Sequence, residues 1–333
     1  MIRRFLAGGF FLAFLASAVL IYSNPWKTTP HQNIPTLTTE QSKSIVTVRL
    51  NAPFPAIDFA PFYVAKKMGW IEESLGKIRA KADFQAPLLS VPASTESLAA
   101  DRVDMLMTAD TVGVIARSSG IDVQIVWLSC TLMEELIVPI NSPVKTLADL
   151  RGKKVALITG SGGHYWLLRH MEALNMQRSD VTILNLFPPD AKAAFKQGSV
   201  DAWAIFPPFS EQEIAEGTAR VLPGLKSPAQ VVMVARGRFC SEHAEAASSV
   251  VQALERAKRW LIENPAQAQE IVAEEINMPL HIVQSSWSKM VWEADLDDAV
   301  ISDIQSKADF FVQEKIIRNP VNVESELIRP LTK

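Results

Sequence analysis

The most chemically suggestive stretch of the 333-residue chain is Thr159-Gly160-Ser161-Gly162-Gly163-His164-Tyr165. It follows the apolar run Lys154–Ile158 and opens an amphipathic segment through Trp166-Leu167-Leu168. Glycines let the backbone turn tightly, and a helix start leaves N–H groups unpaired. With the helix macrodipole and a Ser hydroxyl, such a start suits an anion. A plain N-cap on a tight turn uses the same residues, so Ser161, Gly162, Gly163 and His164 admit either role. The stretch lacks the Gly-Lys-Ser/Thr of a nucleotide P-loop. Thr159 stands where the nucleophile elbow of a hydrolase needs glycine.

Two further places could touch a ligand. Thr108-Ala109-Asp110-Thr111 directly follows Val103–Met107, and Asp110 is a competent N-cap. Asp201-Ala202-Trp203-Ala204-Ile205-Phe206-Pro207-Pro208-Phe209 puts aromatics at a strand end. There Trp203 and Phe206 either fill the core or wall a pocket. No two of His31, His164, His170, His243 and His281 have the i,i+4 spacing of a zinc-binding helix, so neither metal nor cofactor is expected. Cys130 and Cys240 are either a disulfide pair or two separate buried thiols. Against 36 acids stand only 33 Lys and Arg, a balance that argues against nucleic acid.

The elements that would position these residues begin after an export segment. Met1-Ile2-Arg3-Arg4 precedes an apolar run from Phe5 to Tyr22, the layout of a secretory signal. Residues 1–24 therefore read as a cleaved signal or a retained membrane anchor, the run 5–22 being long enough to tether the chain. Residues 25–43, rich in Pro, Thr, Gln and Ser, read as a flexible linker. From residue 45 onward short β-branched runs alternate with helical patterns. Strands are predicted at 45–50, 77–84, 103–107, 122–128, 136–140, 154–158, 181–184, 202–205 and 231–235, with helices between them. After Ala235 the pattern turns helical, at 244–263, 265–276 and 297–313. Such alternation predicts an α/β fold with mainly parallel sheets and ligands at strand carboxyl ends.

The order and spacing of several blocks resemble the periplasmic substrate-binding proteins of ABC importers for aliphatic sulfonates, taurine and nitrate. The likeness is densest from Leu136 to Phe209. It includes Ile137-Val138-Pro139, Ala148-Asp149-Leu150-Arg151-Gly152-Lys153-Lys154-Val155-Ala156, Gly160-Ser161 with His164-Tyr165, Pro188-Pro189-Asp190-Ala191, and Asp201-Ala202-Trp203. Weaker similarity extends from Ala60-Pro61 to Glu263-Asn264-Pro265. The resemblance implies a two-lobed type II periplasmic-binding-protein fold with the ligand cleft between lobes. Lobe 1 would comprise 44–136 and 233–333, and lobe 2 would comprise 137–232. It also implies a monomeric, non-enzymatic binder in the periplasm that delivers a small organosulfonate or related anion to an inner-membrane ABC permease. Carried over residue by residue, the anion would meet Ser161, Gly162, Gly163 and His164 from one lobe and Asp110 and Thr111 from the other, with Trp203 lining the cleft. An anchored sensor, a binder of a heteroaromatic pyrimidine precursor and an enzyme on the same fold are the alternatives.

Two departures from the family pattern stand out. Pro207-Pro208-Phe209 replaces the Asp-Pro-Tyr common after the Asp-Ala-Trp strand, and the loop Asn51–Asp58 lacks an expected glycine. Asp58 is an unusual acid near the presumed cleft. It either caps the following helix at the surface or faces inward with Asp110, where the pair would favour an amine or another hydrogen-bond donor opposite the ligand's anionic end.

Overall fold

The computed structural model describes residues 45–88 and 91–331, so the export segment 1–24 and the linker 25–43 lie outside the described residues. The chain alternates as the sequence predicts. β1 (Val46–Asn51), α1 (Ala60–Lys67), α2 (Trp70–Gly76), β2 (Ala80–Phe84), α3 (Val91–Ala99), β3 (Met105–Ala109), α4 (Asp110–Ser118) and β4 (Val123–Pro139) form the first run. β5 (Lys153–Leu157), α5 (Gly162–Ala173), β6 (Val181–Asn185), α6 (Pro188–Lys196), β7 (Ala202–Ile205), α7 (Phe209–Ala215) and β8 (Ala219–Arg236) form the second. α8 (Gly237–Glu242), α9 (Ala244–Glu263), α10 (Pro265–Glu275), α11 (Leu280–Trp287), the short β9 (Met290–Val291) and α12 (Asp298–Gln313) complete it.

The strands make one sheet in the order β2-β1-β3-β8-β4-β7-β5-β6, with β9 added against β4. β1, β2 and β3 pair in parallel, as do β5, β6 and β7. Between these groups run β4 and β8, two long antiparallel strands paired from Val123–Arg236 to Pro139–Ala219. β4 corrects the prediction of separate strands at 122–128 and 136–140. Ser129-Cys130-Thr131 and Glu134-Glu135 interrupt the apolar run without breaking the backbone ladder. The ladder absorbs three irregularities, at Ile125/Trp127, Leu128/Cys130 and Glu135/Ile137, each of which resets the face its side chains present.

Side chains alternate across a strand, and the two cores follow that alternation. Met107, Met233 and Trp203 belong to a core with α1, α2, α9 and α10. Leu106, Val232 and Ala202, their immediate neighbours, belong to a second core with α4, α5 and α12. Helices thus cover both faces of the sheet, which is why its central strands read as nearly continuous apolar runs. Cys130 and Cys240 are free, buried thiols, which answers the disulfide alternative.

Candidate functional site

β3 runs straight into α4, and the first helical residue, Asp110, is fully buried. Its backbone cap is Ala109, so Asp110 does not cap the helix from outside. One carboxylate oxygen accepts the Thr111 N–H at 2.8 Å, and the other lies 2.8 Å from Lys307 Nζ on α12. Lys307, itself fully buried, also pairs with Asp303 at 2.7 Å. Asp303 accepts from Gln230 Nε2 on β8 at 2.9 Å, and Gln230 accepts from Thr131 on β4 at 2.6 Å. A continuous polar chain therefore links both long strands to the start of α4. Burial drives the Asp110 pKa upward, and the ammonium of Lys307 opposes it. Burial works against the charge of Lys307, yet Asp110 and Asp303 together carry its pKa above the ordinary lysine value.

The second helix start is α5. Ser161 is its N-cap, with extended backbone and Oγ accepting the His164 N–H at 3.2 Å. Gly160 turns the chain with φ +82°, and a Cβ there would lie 2.9 Å from Ile115 Cδ1 of α4. Gly162 and Gly163 are buried against Glu134 of β4. A Cβ on Gly162 would come within 2.8 Å of Glu134 Oε2, and one on Gly163 within 3.1 Å. Glycine is thus what lets the carboxylate approach the helix start this closely. The Glu134 pKa rises to about 8, chiefly through burial. Lys307 and the Gly163 amide pull it down, while Asp110 and Asp58 push it further up. Oε2 has no hydrogen-bond partner among the described residues.

Asp58 sits in a buried 3-10 turn, Ile57–Phe59, not at a surface cap. Its carbonyl oxygen accepts the Ser129 hydroxyl at 2.8 Å, pinning the turn to β4. Burial raises its carboxyl pKa to about 7, and Oδ1 has no partner among the described residues. Asp58, Asp110, Glu134 and Lys307 therefore share one electrostatic neighbourhood in the interior.

A match to the family described as NMT1/THI5 like spans residues 56–268, more than half of the chain. The chain belongs to this family. A Bacillus subtilis (strain 168) relative named for aliphatic sulfonates binding is 28% identical over 276 residues, covering 80% of this chain and 81% of its own. An Escherichia coli (strain K12) protein of the same name is 26% identical over 277 residues, with 80% and 81% coverage. The solved alkanesulfonate-binding protein from Xanthomonas axonopodis pv. citri, bound to MOPS, superposes with a TM-score of 0.72 at 24% identity over 86% of this chain and 98% of that one. A desulfurization enzyme shares the fold at TM-score 0.64 and 13% identity, covering 86% and 96%. The NMT1/THI5-like chain thus has the α/β periplasmic-binding-protein fold, and the two bacterial sequence relatives carry the names of binding proteins.

Within this NMT1/THI5-like chain the remaining predicted residues separate. His164 is buried, its Nδ1 accepting the Gly160 N–H at 3.1 Å. Burial, with help from Arg178, lowers its pKa to about 4, so the ring is neutral. It borders a recess of about 660 Å³ with Thr159, Gln177 and Arg178, not the carboxylates. Trp203 is fully buried on β7, its ring 6.1 Å from Phe195, with Nε1 lacking a partner among the described residues. Phe206 packs at 5.9 Å on Phe54 and at 5.6 Å on Phe209, and Phe54 in turn lies 5.5 Å from Phe59. This aromatic group joins the Asp58 turn to the start of α7. The sequence reading missed Glu134 and Lys307. The signal for Glu134 was present, as two consecutive acids within the otherwise apolar run Val123–Pro139. Lys307 carries no such mark, because one lysine on an amphipathic helix reads as a solvated residue.

Proposed function

We propose that this chain is the extracytoplasmic solute-binding component of an ABC importer, binding a small organosulfonate or related anion and handing it to the permease. The observation that carries the reading is the convergence of the α4 and α5 starts on one buried polar interior, in a chain whose relatives are named for sulfonate binding. The reading places residues 44–136 with 233–333 in one lobe and 137–232 in the other, with β4 and β8 passing between them. Asp58, Asp110, Thr111, Ser161, Gly162, Gly163 and His164 then surround the ligand or hold the elements that do, while Trp203 and Phe206 close its apolar side. Backbone dipoles at helix starts hold a permanently ionised sulfonate without a dedicated arginine. Export follows from the positive start and apolar run of residues 1–22.

Calorimetric titration of the purified protein with propane-1-sulfonate, longer alkanesulfonates, aminosulfonates and nitrate tests this. Binding by at least one class, with melting temperature rising with the logarithm of ligand concentration, is the expected result. No response to any of them, with no coupling to a permease in uptake assays, would sink the assignment.

A further inference from the structure

Among the described residues, buried acidic groups around the interior outnumber the basic ones that pair with them. The buried cation at these helix starts, among the described residues, is Lys307, already shared between Asp110 and Asp303. Lys258, on the Cys130 side, spends its ammonium on the carbonyls of Leu128 and Ala294. Glu134 and Asp58 are left with no basic side chain in ion-pair contact among the described residues. Independently of the cluster's charge, both are more than nine-tenths buried, and each keeps one carboxylate oxygen with no hydrogen-bond partner among the described residues. Glu134 also stands against the first residues of α5, so its carboxylate already faces the amides that would attract an anion. A ligand bringing a cation would let these buried carboxyls ionise and pair with it, whereas one bringing only negative charge would oppose their ionisation.

We propose that the solute carries a protonated amine, and that Glu134 receives it, with Asp58 as the second carboxylate at that end of the site. This rests on the solute-binding reading above and narrows its ligand to amine-bearing compounds, away from plain alkanesulfonates. An N⁺–H donor meets the free Glu134 oxygen, and Lys307 keeps Asp110 neutralised so that it does not compete. Burial raises the pKa of both acids, and an adjacent ammonium would oppose that shift.

The test compares 3-aminopropane-1-sulfonate, propane-1-sulfonate and propylammonium by calorimetry on the purified protein, its Glu134→Gln variant and its Asp58→Asn variant. Thermal melts verify that each variant is folded. The expected result is an affinity at least about thirtyfold higher for the aminosulfonate than for propane-1-sulfonate. That ratio falls to within about threefold in Glu134→Gln and drops part-way in Asp58→Asn. If Glu134→Gln fails to fold, the drop in Asp58→Asn alone decides. Equal affinity for the two sulfonates overturns the amine assignment and leaves the sulfonate reading standing. Binding of propylammonium with neither sulfonate upholds the amine and removes the sulfonate. A preference for the aminosulfonate that survives both substitutions overturns the role of these carboxylates, and no binding of any probe overturns both readings.

Discussion

Two buried carboxyl groups dominate the chemistry of single residues here. Asp58 is held up to about 7 and Glu134 to about 8, in both cases mainly by burial. A raised acid binds its proton more tightly in the folded chain than in the unfolded one, so its contribution to stability is full below the ordinary carboxylate range. That contribution is lost as pH climbs through the folded value. His164, lowered to about 4, acts in the opposite sense, but only below its ordinary value of about 6.5. Between about pH 6.5 and about pH 9 the carboxyls therefore act alone among these three. The melting temperature of the ligand-free protein is expected to fall across that window, and Glu134→Gln to flatten the fall. By differential scanning calorimetry the variant should melt a few degrees above wild type at the alkaline end, corresponding to about 2 kcal/mol. An unchanged slope would mean that Glu134 is not desolvated. Asp58 was legible in the sequence as an odd acid in a loop. Glu134 was legible only as one of two consecutive acids in an apolar run; both are buried, and only the packed strand decides which of them faces α5. Here Glu135 reaches Lys289 while Glu134 turns to α5.

At the scale of elements, α12 ties the interior together. Its Lys307 holds the start of α4, its Asp303 reaches β8 through Gln230, and its Phe310 meets Tyr165 of α5 edge-on at 5.1 Å. Removing one partner of a buried pair leaves an uncompensated charge. Lys307→Met should therefore cost about 3 to 5 kcal/mol in urea unfolding. Adding Asp110→Asn should recover a substantial part of that loss, because the two sites are coupled. Independent, additive losses would show that the pair contributes nothing beyond its separate packing. The helical pattern of 297–313 was readable from its periodicity, and the structure places α12 within a residue of it. What α12 touches was not readable, since its partners lie far away in the chain at Asp110, Tyr165 and Gln230.

The molecule as a whole is organised by β4 and β8, which run between the two parallel strand groups, β4 bringing Glu134 against the start of α5. If the two groups are lobes that close on a solute, ligand should compact the chain. A folded body of this size has a radius of gyration of about 19 Å, and small-angle scattering should show it shrink by about 1 Å when ligand is added. Identical profiles with and without bound ligand would count against hinged closure. The sequence by itself determined the α/β alternation, most helix and strand positions, the two glycine- and acid-marked helix starts, and the likeness to sulfonate binders. Those features are local, written in periodicity, turn residues and block order. Only the tertiary structure decided that one unbroken strand joins residues 123–139, that Asp58 is buried, that Lys307 neutralises Asp110, and that His164 borders a recess with Thr159, Gln177 and Arg178. Each of these depends on which distant residues share a desolvated space, and burial, unlike periodicity, is a property of the packed chain.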